Sequence, residues 1–159
     1  MNKSALREQI LSRLQADLAQ QTAAAHLARD EAISEESRPE NQYDTHSLEA
    51  GYLAEGQARL AAEIRASIEF YQALVPADFG PGVPVAVGAL VELQARGQGS
   101  WYFLGPRAGG LEIPLDGTTV LVLTPQSPLG RELLGRREGD QVRVPGRGGS
   151  TAHRITVVR

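Results

Sequence analysis

The sequence predicts an α+β protein: an N-terminal antiparallel helical coiled-coil hairpin followed by a small β-rich domain with one short helix. Three observations carry this. Two long runs of helix formers show apolar residues at spacings of 3 and 4. The stretch VPADFGPGVP, residues 75–84, packs three prolines and two glycines into ten residues and ends the helical texture. Beyond it lie short β-rich runs parted by turn residues.

The first run extends from Lys3 to about Ile33 without proline or glycine, with Leu11, Leu14, Leu18, Gln21, Ala25, Ala28 and Ala32 on one seam. The second extends from about Asp44 to Leu74, with His46, Ala50, Leu53, Gln57, Leu60, Ile64, Ser67, Tyr71 and Leu74 on its seam. A connection of roughly ten residues holding Pro39 and Asn41 folds the two back on each other, because each apolar stripe needs a partner. Alanines toward the turn predict a slim far end. The expected division is a hairpin over 1–75 with its tip loop near 34–44, a linker over 76–84, and a second domain over 85–159.

In the second domain, VAVGALVELQA, SWYFLG, LEIPL, GTTVLVLT, DQVRV and HRITVVR read as strands, with RGQGS, LDGT and GRGGS as turns. SPLGRELLG reads as the helix: Ser127 suits the N-cap, Pro128 the first position and Gly135 the stop, with Leu129, Leu133 and Leu134 on the buried side.

Composition excludes several classes. At 159 residues, 42% hydrophobic and 22% charged, the chain is a folded protein rather than a disordered one. The absence of cysteine excludes disulfides and thiolate metal sites, and His26, His46 and His153 are scattered. No apolar run approaches a membrane span and no secretory leader is evident, so a cytoplasmic protein without a membrane partner is expected. Net charge is −3, but residues 1–79 hold 7 Lys/Arg against 13 Asp/Glu, while 80–159 hold 9 against 6. The acidic middle repels bare phosphate, which argues against a basic nucleic-acid footprint.

The candidate site is the turn itself. EESRPENQYD places Glu35, Glu36, Glu40 and Asp44 together with only Arg38 as a basic neighbour. A solvated turn is the plain reading. Carboxylates gathered without lysines are also what Mg²⁺ requires, one or two of them with waters completing the octahedron.

Taken with SPLGRELLGRREGDQVRV, residues 127–144, the acidic turn makes the chain resemble the bacterial Gre transcript-cleavage factor family. Ser127, Pro128, Leu134, Gly135, Glu138, Gly139, Asp140, Val142 and Val144 carry the stronger part, with ENQY at Glu40–Tyr43 and EGQ at Glu55–Gln57 beside it. The resemblance implies an FKBP-like C-terminal domain that docks on core RNA polymerase at its secondary channel. It also implies a hairpin tip that reaches the polymerase active site. There Glu40 and Glu36 would assist a Mg²⁺ shared with the polymerase, with Glu35, Ser37, Asn41, Tyr43 and Asp44 forming the tip. The chain would hold no metal alone and would be no enzyme by itself; it would stimulate the polymerase's own cleavage of backtracked RNA, meeting nascent RNA only inside that complex. Ser127, Pro128, Leu129, Gly130, Arg131, Arg136 and Arg137 are the expected docking residues. One departure matters: the family's Asp three residues before the Glu of Glu-Asn is Ser37 here. A non-cleaving regulator of the same channel is therefore the alternative reading. Prolyl isomerase or chaperone activity, and a purely structural interaction module, stand behind these two. The consecutive aromatics Trp101, Tyr102 and Phe103 alternate faces of a strand and line a proline pocket poorly.

Overall fold

The computed structural model describes residues 1–33, 46–80, 82–146 and 149–159. Two long helices, α1 (Lys3–Ile33) and α2 (His46–Ala73), precede six strands: β1 (Leu90–Ala95), β2 (Gln98–Leu104), β3 (Glu112–Leu115), β4 (Thr118–Leu123), β5 (Gln141–Gly146) and β6 (Gly149–Val158). The short helix α3 (Pro128–Leu133) lies between β4 and β5. This is the α+β arrangement of a helical hairpin and a single sheet. No helix among the described residues is long and apolar enough to cross a membrane.

The chain forms two compact units, one of Met1–Ile10 with Phe70–Arg159 and one of Leu11–Glu69. In the first unit the sheet runs β3-β4-β2-β1-β6-β5, with β2 and β4 parallel and every other pair antiparallel. The hairpins β1–β2 and β3–β4 turn on Arg96-Gly97 and Asp116-Gly117, where all four residues have positive φ, as a two-residue type I′ turn demands. Both edge strands carry a proline, Pro114 in β3 and Pro145 in β5, which discourages pairing with another chain. The expected strand over Val85–Ala95 begins only at Leu90. Gly88 sits at φ +94, and the Val85 backbone bonds instead to Arg136 O at 2.7 Å and Gly135 N at 2.9 Å.

Alternation gives the sheet two apolar faces. Val91, Leu93, Leu104, Leu123, Val142, Ile155 and Val158 pack with Leu129 and Leu133 of α3. On the other face Phe103, opposite Leu90 in the register, meets Tyr71 of α2 with ring centroids 6.5 Å apart. The ends of both helices belong to this unit through polar grips. Asn2 caps α1 by accepting from Ser4 N at 2.9 Å. Lys3 donates to the carbonyls of Ala77 and Gly88 and lies 4.7 Å over the Phe79 ring. Arg7 donates to Tyr71 O at 2.7 Å and Gln72 O at 2.8 Å, supplying the cation that the last turn of α2 lacks. The Tyr71 hydroxyl donates to Arg107 O at 2.9 Å. Burial raises its pKa, and burial lowers that of Lys3 against an opposing pull from Asp78.

In the second unit the helices lie side by side, and Thr22, Ala25, His26 and Arg29 of α1 share a groove with Ala54, Ala58, Ala61 and Arg65 of α2. The α1 seam matches its expected face, with Leu14 and Ala28 buried. The α2 seam keeps Gln57, Ile64, Ser67, Tyr71 and Leu74 inward as expected but departs at two positions. Leu53 and Leu60, expected inside, are 54% and 52% exposed, while Ala61 is buried and Ala54 half-buried in their place. Alanines on facing helices let the axes approach closely, and a methyl then fills a gap that a leucine would overpack.

Candidate functional site

The described part of the candidate site is built by α3 and the turn after it. Ser127 takes extended backbone angles (φ −67, ψ 152) and its hydroxyl oxygen accepts from Gly130 N at 3.0 Å. The same hydroxyl donates to Thr124 O at 2.8 Å. Pro128 costs nothing at the first helical position, where no N–H is needed. Gly130 is required by contact rather than by conformation: a Cβ there would run into the Thr124 carbonyl. Leu134 closes the helix by donating to Gly130 O at 3.1 Å, and Gly135 reverses the chain at φ +77.

This seat divides the expected docking residues by role. Leu129 and Gly130 are buried and hold the helix on the sheet. Ser127 is spent on the cap. Pro128, Arg131, Arg136 and Arg137 are exposed and are the ones another molecule can touch. Arg131 leans back on Gln126 O at 2.6 Å and Arg136 on Glu132 O at 3.3 Å, which fixes each guanidinium while leaving further N–H donors outward. Arg137 N donates to Asp140 Oδ2 at 2.8 Å, tightening the turn into β5. Arg131, Glu132, Leu134, Gly135 and Arg136 line a shallow depression of about 290 Å³. Leu134, expected on the buried side, is 40% exposed within it. The helix ends at Leu133, so Leu134 adopts φ −53, ψ 127 and turns outward. Glu132, Leu134 and Gly135 were not singled out as docking residues by the sequence; each lies in the same motif, and the short helix was the signal.

The acidic residues Glu35, Glu36, Glu40 and Asp44, with Ser37, Asn41 and Tyr43, lie outside the described residues. Among the described residues no group of three or more His, Asp or Glu is placed to hold a metal ion. The aromatics of β2 divide as alternation requires: Phe103 is buried against Tyr71, while Tyr102 packs with the α3-side core.

Fold and site together describe a helical hairpin joined to a small sheet domain that presents an arginine-edged apolar spot. Solved structures of transcription factors are similar to it. The crystal structure of the GreA factor homolog 1 (Gfh1) protein of Thermus thermophilus is 24% identical, covering 94% of each chain at a TM-score of 0.39. Thermus aquaticus Gfh1 is 24% identical over 93% of this chain and 92% of that one, at 0.40. The prokaryotic transcription elongation factor GreA/GreB from Nitrosomonas europaea is 23% identical over 65% of this chain and 78% of that one, at 0.39. No protein-family model matches the chain, and no curated protein matches it.

Proposed function

We propose that this protein is a Gre-type transcription factor that binds core RNA polymerase at its secondary channel, docking through α3 and the turn after it. The observation that supports the reading is the motif of residues 127–144. Its Ser-Pro cap, its buried Leu129 and Leu133 and its Leu-Gly stop hold Arg131, Leu134 and Arg136 outward as one patch. An apolar centre edged by arginines suits an acidic partner surface.

The acidic turn is then the working end. Glu40 and Glu36 would hold a Mg²⁺ shared with the polymerase, an ion that stabilises charge as a phosphodiester is cut. The chain contributes carboxylates and positioning, and the polymerase does the cutting. One observation favours a second reading: Ser37 stands where the family's cleavage pattern has Asp, and a hydroxyl is a weak, uncharged ligand for a hard cation. In that reading the protein occupies the channel and regulates without cleaving.

A cleavage assay on stalled, backtracked complexes separates the two, run with the parent, Glu40→Ala and Ser37→Asp, and with bound factor measured in the same samples. Cleavage by the parent that Glu40→Ala abolishes supports the first reading. Cleavage only by Ser37→Asp supports the second. Binding without cleavage by all three refutes the tip chemistry, and no binding refutes the function.

A further inference from the structure

We infer that the half of the helical hairpin farther from residues 10 and 70, namely 20–33 with 46–60, is a separate unit of low local stability that opens while the rest of the protein stays folded. This does not depend on the polymerase reading. Three independent features coincide there.

The first is the distribution of buried apolar volume. Among the described side chains of Leu11–Glu69 the large buried apolar ones are Leu14 and Ile68, both near the ends of that stretch, whereas Ala28 within the distal half and Ala61 at its border each give one methyl. Larger apolar residues are present but face water: Leu27 is 72% exposed, Tyr52 65% and Leu53 54%. Burial energy scales with apolar area removed from water, so this half has little to set against its conformational entropy.

The second is polar. The side-chain oxygens of Gln21 and Gln57 are buried at the seam with no hydrogen-bond partner among the described residues. An unpaired buried acceptor lowers the stability of the closed state relative to an opened one, in which water satisfies it.

The third is backbone freedom. Gly51 and Gly56 lie inside α2, and a Cβ at either would meet nothing within 4 Å. Neither glycine is required by a close approach, unlike Gly105 or Gly130. Each loosens the helix without a packing return. Each weakness acts on the same segment, and local opening follows where few apolar contacts and weak helix propensity coincide.

The test is hydrogen exchange on the full chain, read segment by segment. Amides in 22–32 and 48–60 should exchange at least about tenfold faster than those in 6–14 and 64–73. Gly51→Ala/Gly56→Ala, which adds two methyls in open space, should slow exchange in both distal segments by about 20-fold and leave 6–14 and 64–73 unchanged. Gln21→Leu/Gln57→Leu should act in the same direction. Uniform protection along the hairpin, or double-alanine exchange that is unchanged or slowed equally everywhere, overturns the inference.

Discussion

Gly105→Ala tests how the end of α2 is locked to the sheet. Gly105 does not have positive φ, so alanine suits its backbone, and the cost comes from contact alone. An added Cβ would overlap the Tyr71 hydroxyl and press on Val122 Cγ1 at 3.2 Å. Relief requires moving a fully buried tyrosine whose hydroxyl donates to Arg107 O. Overpacking of this kind costs about 1 to 3 kcal/mol, and stranding the hydroxyl adds about 1 kcal/mol, so the variant should lose about 2 to 4 kcal/mol. The single tryptophan, Trp101 in β2, reports the unfolding of this unit in urea. With a slope of about 2 kcal/mol per molar, the midpoint should fall by roughly 1 to 2 M. Tyr71→Phe alone should cost about 1 kcal/mol, and in that background Gly105→Ala should cost less than half as much as in the parent, because the overlapping oxygen is gone. A loss below about 0.5 kcal/mol, or the same loss in both backgrounds, refutes the lock.

Leu14→Ala should lower hairpin stability by about 2 to 4 kcal/mol, whereas Leu60→Ala, at a half-exposed site, should cost under about 1; thermal melts followed by circular dichroism compare them. Ser127→Ala should cost about 1 kcal/mol by removing the α3 cap, visible in the Trp101 urea midpoint. The melting temperature should fall as pH rises above 10.0: the unfolded chain releases the tyrosine proton there while folded Tyr71 retains it, so the folded state binds more protons and loses stability. The lowered pKa of Lys3 acts in the opposite sense but is half-exposed and screened, so Tyr71→Phe should flatten the decline in melts taken across alkaline pH.

Much of this fold is legible in the sequence because its signals are local. The absence of proline or glycine over Lys3–Ile33 marks α1 to within a residue, Asp116-Gly117 marks a hairpin, and Ser127-Pro128 marks the start of α3. On α2 the 3-and-4 spacing is right at Gln57, Ile64, Ser67, Tyr71 and Leu74 and fails only at Leu53 and Leu60, where apolarity favours leucine but Ala54 and Ala61 line the groove shared with α1. Lys3 with Gly88, and Arg7 with Tyr71, were invisible because they join residues more than sixty positions apart through backbone carbonyls, which carry no residue identity. At the candidate site the motif showed where α3 lies but not which members face outward. Leu134 was assigned inward by helical spacing, and the helix stops one residue too soon for that.

Docking on RNA polymerase through Arg131 of α3 and Arg136 and Arg137 of the turn after it is tested most directly by the affinity of the full chain for bacterial core enzyme, parent against Arg131→Glu/Arg136→Glu/Arg137→Glu. All three residues are exposed, and Arg131 and Arg136 each lose only a surface bond to a backbone carbonyl, so the variant should stay folded with a urea midpoint within about 0.5 M of the parent's. The parent should bind, and reversing three charges should weaken binding at least about 100-fold, with the parent's affinity falling as salt rises. A parent that does not bind core polymerase, or a triple variant that binds as tightly as the parent, would contradict it.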